Sequence, residues 1–161
     1  MICMAYPGCG KTYATELLNS QGVSALDYDS KNVTDKEDGW EKEYVDDIVE
    51  LTQKGDYKVI FVSFNLNVIK EMVQHGIRFT CVIPQPDDPV VKEMMIGRYC
   101  LRTPDALNYT RRIKRQIRHY DERLDRRKIT EMLSDNPLKE ITASAPYILS
   151  VLDLSSLTEP V

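Results

Sequence analysis

The sequence predicts an α/β fold built on a central, mainly parallel sheet of five strands, and three observations carry that reading. Short apolar runs at 2–5, 23–28, 58–64 and 77–83 alternate with stretches of helical apolar spacing, the pattern of successive βαβ units. Within the third run, Val59, Ile60, Phe61 and Val62 are continuously apolar, which suits a parallel strand buried on both faces. The first run gives way at once to Pro7, Gly8 and Gly10, a Gly-rich turn between a buried strand and a helix. At 161 residues, 42% hydrophobic and 29% charged, the chain is sized for one domain, 1–161, whose core needs no covalent staples.

Each element has its own signal. Lys11 opens a stretch with Ala14, Leu17 and Leu18 at helical spacing that stops near Gly22. The strand 23–28 runs into Asp27, Tyr28, Asp29 and Ser30, polar groups at the carboxyl edge where open α/β sheets bind ligands. Residues 31–39 read as a connection, after which Tyr44, Ile48 and Leu51 mark a helix closed by Gly55. The strand 58–64 is followed by a helix over 66–75 stopped by Gly76, and the strand 77–83 is closed by Pro84 and Pro86. Asp88 with Pro89 is an N-cap followed by proline at the first helical position, for a helix reaching about Leu101. Thr103 with Pro104 repeats that signal, and Leu107, Ile113, Ile117, Tyr120 and Leu124 mark the apolar face of a long basic helix. Asn136 and Pro137 break the chain before a last strand at 147–152. Residues 88–135 thus form a helical, arginine-rich region.

The net charge of −4 is segregated. Residues 27–50 carry ten acids against three lysines, which repels polyanions; residues 98–128 carry eleven bases against four acids, which attracts phosphates. Cys3, Cys9, Cys81 and Cys100 are scattered singly, with no CxxC pair and no zinc spacing, so neither a disulfide framework nor a zinc site is indicated and a reducing cytoplasm is the expected compartment. No apolar run approaches the ~18 residues of a membrane span, and the start lacks the pattern of a signal peptide.

Ala5, Tyr6, Pro7, Gly8, Cys9, Gly10, Lys11 and Thr12 match the Walker A pattern in the form with alanine first. The glycines let successive backbone N–H groups face inward, Lys11 reaches the β- and γ-phosphates, and the Thr12 hydroxyl can ligate Mg²⁺ at the positive end of the following helix. Pro7, Gly8, Cys9, Gly10, Lys11, Thr12 and Tyr13 are therefore the predicted nucleotide-binding residues, with ATP and Mg²⁺ as ligands. GTP is disfavoured, because no guanine-reading Asn-Lys-x-Asp sequence occurs.

With the opening YPGCGKTYA, the LDYDS after the second strand, the block VIFVSFNLNVIKEMVQHGIRFTCVIPQ, IGRYCLR and the closing APYILSVL, the chain resembles small P-loop kinases of the nucleoside and nucleotide kinase class. Within it, the likeness is to phage-encoded, adenylate kinase-like proteins, in the neighbourhood of phage hydroxymethyluracil DNA kinases. The resemblance implies a three-layer P-loop fold with the phosphate-loop strand at the sheet centre, an acceptor region on one side and an arginine-bearing lid on the other. It implies phosphoryl transfer from Mg²⁺-ATP to a nucleoside, a nucleoside monophosphate or a modified base in DNA.

Phosphoryl transfer is mostly positioning and charge neutralisation. Arg98 and Arg102, four apart on one helical face, match the family's paired lid arginines, and the guanidinium fork suits phosphate oxygens. Asp27 and Asp29, two apart at a strand end, point to the same face, where related kinases place a carboxylate near the acceptor. Either can accept a proton from an acceptor hydroxyl or hold Mg²⁺; Asp29, beside Ser30, is favoured, and with Thr12 it makes the predicted metal pair. Lys11, Asp27, Asp29, Arg98 and Arg102 are the catalytic candidates.

One position departs from the pattern: the third strand ends in Ser63, Phe64 and Asn65, with no Walker B acid. Either an aspartate of the second strand takes over that role, or the chain is a regulatory nucleotide-binding protein without turnover. A third alternative makes the basic 98–128 region a nucleic-acid contact, which combines with catalysis if the acceptor is polymeric. His75 reads as a helix cap, His119 as solvated, and Trp40 and Tyr44 as core anchors. Cys9, at a helix N-terminus, is expected to be a reactive thiol shielded by ATP.

Overall fold

The structure, a computed structural model, describes residues 1–30, 33, 37–84, 88–101, 109–133 and 139–143. In chain order the elements are β1 (Ile2–Ala5), α1 (Lys11–Ser20), β2 (Ala25–Tyr28), α2 (Trp40–Lys54), β3 (Val59–Ser63), α3 (Leu66–Gln74), β4 (Thr80–Pro84), α4 (Pro89–Leu101), α5 (Tyr109–Arg123), α6 (Arg126–Leu133) and β5 (Lys139–Ala143). The strands pair in parallel in the order β2-β3-β1-β4-β5.

β1 is four residues long and wholly buried. It lies between β3 and β4, with Met4 opposite both Val62 and Cys81. Cys3, Met4, Phe61, Val62, Cys81 and Val82 are all inaccessible to solvent, which explains why β1 and β3 read as continuous apolar runs: helices cover both faces of a parallel sheet. The chain leaves β1 toward β2 and leaves β3 toward β4 on the opposite side of β1, so the direction of winding reverses at the paired ends Ala5 and Ser63. Open α/β sheets bind ligands at such a switch point.

The helices pack as their spacing predicts. Ala14 and Leu18 of α1, Tyr44, Val45 and Ile48 of α2, and Val68, Ile69 and Met72 of α3 are buried. Asn65, extended at the N-cap of α3, accepts from the amides of Asn67 and Val68 through its side chain, and Asp88 does the same for Val90 and Val91 at the start of α4. The predicted N-cap at Asp88 is thus present. His75 is the C-cap of α3, its Nδ1 2.8 Å from the Glu71 carbonyl, as its position beside Gly76 suggested.

The helical region differs from expectation in two ways. The long basic helix is divided: α5 ends at Arg123, and Asp125 opens α6 by accepting from the amides of Arg127 and Lys128. A side chain that competes for backbone donors favours a cap over a helix interior, and the apolar periodicity bridged that break. Ile117, assigned to the apolar face, is 40% exposed, whereas Tyr120, Leu124 and Ile129 are buried. Among the described residues the strand beside β4 is β5, at 139–143, which the sequence reading did not mark. The expected strand at 147–152 and the start signal at Thr103 and Pro104 lie outside the described residues. Among those described, no helix is long and apolar enough to cross a membrane.

Candidate active site

The loop between β1 and α1 follows the local chemistry of its residues. Gly8 and Gly10 have φ of 92° and 84°, a left-handed conformation that side chains with a Cβ rarely adopt. A Cβ on Gly8 would also meet Met95 Cε at 3.4 Å. Gly10 is the N-cap of α1 and no side chain caps the helix, so first-turn amides without intrahelical acceptors face the loop. A turn is closed inside it by the Cys9 amide, which donates to the Tyr6 carbonyl at 3.1 Å.

The side chains expected at this end of the sheet converge. Lys11 Nζ donates to the Ala5 carbonyl at 3.4 Å, so its ammonium lies folded over the loop. Thr12 Oγ1 donates to Asp27 Oδ2 at 2.8 Å; the other oxygen, Asp27 Oδ1, is buried and has no hydrogen-bond partner among the described residues. The metal pair predicted from the sequence was Thr12 with Asp29, but the side chain in contact with Thr12 is Asp27. A hydroxyl and a carboxylate with one oxygen unsatisfied form a hard-oxygen donor set that fits Mg²⁺, which takes one or two carboxylates and completes its shell with phosphate and water. Among the described residues, no group of three or more His, Cys, Asp or Glu suited to a metal occurs.

Arg98 Nη1 donates to the Gly8 carbonyl at 3.3 Å, which carries a guanidinium from α4 to the glycine loop. Arg102 lies outside the described residues. Tyr13, the last of the predicted nucleotide-binding residues, is 61% exposed on the first turn of α1. Cys9, expected to be a reactive thiol shielded by ATP, is inaccessible to solvent: the loop turns its side chain into the core.

A network that the sequence did not disclose holds the acidic end of β2. The Ser30 amide donates to Ser63 Oγ at 3.0 Å, the Ser63 amide donates to the Tyr44 hydroxyl at 3.0 Å, and that hydroxyl donates to the Tyr28 carbonyl. The rings of Tyr28 and Tyr44 stack at 5.4 Å, Trp40 leans on Tyr44, and the Tyr28 hydroxyl donates to Asp47 at 2.7 Å. Ser63, at the place of the missing acid, therefore ties down the backbone beside Asp29. Burial, followed by the charges of Asp29 and Asp27, outweighs the Ser63 hydrogen bonds and pushes the Tyr44 phenol up to about 12. A tyrosine in a helix gave no signal for this role beyond its apolar spacing.

No protein-family model and no curated protein sequence matches the chain. In three dimensions it is similar to the shikimate kinase of Bacteroides thetaiotaomicron, a 1.7 Å crystal structure, with a TM-score of 0.56 and 11% identity over 90% of this chain and 86% of that one. At that identity the likeness speaks to architecture alone: the chain shares the α/β, parallel-sheet fold of that structure.

Proposed function

We propose that the chain is a Mg²⁺-ATP-dependent kinase that phosphorylates a nucleoside, a nucleoside monophosphate or a modified base in DNA, with 88–135 as the arginine-bearing cover of a single domain. The observation that carries this reading is the meeting of Thr12 with a half-satisfied Asp27 beside a glycine loop that also receives Lys11 and Arg98. A nucleotide-binding loop without transfer chemistry has no need of an arginine brought from a second helix.

In this reading the loop amides and Lys11 hold the β- and γ-phosphates, and Arg98 neutralises charge on the transferred group. Thr12 and Asp27 hold Mg²⁺, which when bound offsets charge on the β- and γ-oxygens. The acceptor oxygen attacks the γ-phosphorus, the bond from that phosphorus to the β–γ bridging oxygen breaks, and ADP leaves. Where the acceptor is a hydroxyl, Asp29 takes its proton; where it is a phosphate, no base is required. The Ser63 hydrogen bond fixes the backbone that presents Asp29.

The test is transfer of labelled γ-phosphate from ATP to nucleosides, nucleoside monophosphates and oligonucleotides containing hydroxymethyluracil, with Lys11→Ala as the blank. Label on one acceptor class supports the reading. ATP binding without label on any of them moves the assignment to a regulatory nucleotide-binding protein. The polymeric acceptor draws support from Arg111, Lys114, Arg115 and Arg118, which are exposed and spaced to share one face of α5.

A further inference from the structure

Helix α5 carries two opposed faces. Ile113 packs against the core, Tyr120 is 2% exposed, and the Tyr120 ring meets the Tyr6 ring of the glycine loop with centroids 5.6 Å apart. At 3.6 residues per turn, Arg111, Lys114, Arg115 and Arg118 fall on the arc opposite Ile113 and Tyr120, and all four are exposed. They point away from the glycine loop, so none of them is placed to neutralise a phosphate held there.

The charge on this face is poorly compensated. Among the described residues its one ion pair joins Arg118 to Glu122 at 3.9 Å, with side chains 70% and 66% exposed, and a pair so open to water contributes little. Arg111 with Arg115, and Lys114 with Arg118, are like charges four residues apart, an arrangement that destabilises a helix. A neighbour registers the crowding: burial, followed by the charges of Arg123, Arg115 and Arg118, holds the His119 imidazole below its ordinary range. A polyanion laid along the face relieves this repulsion and releases its own counterions.

We infer that this face of α5 docks the phosphate backbone of a nucleic acid without reading its sequence. The inference goes beyond the kinase reading and does not depend on it, since a polymer held here need not be the acceptor. The face presents arginine and lysine, which engage phosphate oxygens, and among its described residues no Asn or Gln to read a base edge. An anionic membrane fits less well. A helix lying on lipid sinks an apolar face beside its basic one, whereas Ile113 and Tyr120 are packed into the core and leave Ile117 at 40% exposure. A second copy of the chain also fits less well, because exposed acids of α2 already have partners: Glu50 pairs with Lys54 at 2.8 Å, and Asp46 lies 3.7 Å from His75.

The experiment is fluorescence anisotropy of a labelled, mixed-sequence DNA duplex without modified bases, titrated with the full chain over a salt series, with and without Mg²⁺-ADP. Four phosphate contacts give an expected slope of log affinity against log salt of about −3 to −4, a loss of about 100-fold between 50 and 200 mM salt. Each of Arg111→Gln, Lys114→Gln, Arg115→Gln and Arg118→Gln is expected to make that slope shallower by about 1, with a melting temperature near wild type. Lys42 and Lys70 are exposed on α2 and α3. Replacing both by Gln removes as much charge as Arg111→Gln with Arg115→Gln and is expected to leave the slope unchanged. No binding at the lowest salt, equal weakening by the two double variants, or displacement of the duplex by Mg²⁺-ADP would overturn the inference. So would α5 variants that lose binding to phosphatidylserine vesicles, or salt-sensitive self-association in sedimentation, while duplex binding stays at wild type. Docking by a chain that transfers no phosphate would retain this inference and sink the kinase reading; transfer without docking would do the reverse.

Discussion

Thr12 Oγ1 and Asp27 Oδ2 meet at 2.8 Å across the gap between α1 and β2, while Asp27 Oδ1 is buried with no hydrogen-bond partner among the described residues. An unpaired carboxylate oxygen is costly in a folded protein, and a divalent cation relieves that cost. Asp27→Asn is therefore expected to lower transfer at least 100-fold and to raise the Mg²⁺ concentration for half-maximal rate, with a melting temperature equal to or above wild type. Thr12→Ser is expected to stay within about tenfold of wild type and Thr12→Ala to fall with Asp27→Asn, since only the hydroxyl is needed to ligate Mg²⁺. A Mg²⁺ titration of the transfer rate for the three variants checks both.

Lys11→Ala removes the ammonium that folds over the Ala5 carbonyl. Transfer is expected to drop below detection while circular dichroism and melting temperature stay near wild type, because the side chain lies at the edge of the core rather than in it. Wild-type rates in this variant would place the phosphate site elsewhere.

Tyr44→Phe deletes a hydroxyl that serves both the Tyr28 carbonyl and the Ser63 amide. Stranding buried backbone groups costs ~1–3 kcal/mol each, so urea denaturation is expected to show a loss of about 2 kcal/mol or more. The same residue sets an alkaline limit. Its folded pKa, about 12, lies above the ordinary tyrosine value of 10.0, so the neutral phenol's contribution is complete below about pH 10 and is lost as pH rises toward about 12. Cys3, pushed up to about 12 chiefly by burial, acts in the same direction from about pH 9 upward. Stability measured from pH 8 to 12 is expected to fall less steeply in Tyr44→Phe than in wild type.

Asp125→Ala removes the side chain that caps α6 through the amides of Arg127 and Lys128. Loss of an N-cap costs ~1 kcal/mol, and a melting temperature lower by a few degrees is expected, with Asp125→Asn recovering most of it.

The buried thiols give a solvent-access test. Cys3, Cys9 and Cys81 are inaccessible, so in a Cys100→Ser background iodoacetamide is expected to label the folded protein at least 100-fold more slowly than the urea-unfolded chain, with or without ATP. Rapid labelling that ATP suppresses would restore the reactive, ATP-shielded Cys9 that the sequence suggested.

The sequence by itself determined the elements whose cause is local. Continuous apolar runs marked β1, β3 and β4, helical spacing marked α1 to α3, and the Gly8, Gly10, Lys11 and Thr12 pattern marked the loop, since glycine conformation and apolar periodicity are properties of neighbouring residues. Where two local signals competed, periodicity misled: Leu124 continued an apolar stripe across the cap at Asp125. Only the tertiary structure decided which aspartate meets Thr12, because Asp27 and Asp29 are equivalent by strand alternation and differ only in how β2 lies beside α1. The same holds for the tie from Ser63 to Ser30 and the guanidinium of Arg98 on the Gly8 carbonyl. Each joins residues from different elements, and such contacts depend on packing between elements rather than on the order of residues within one.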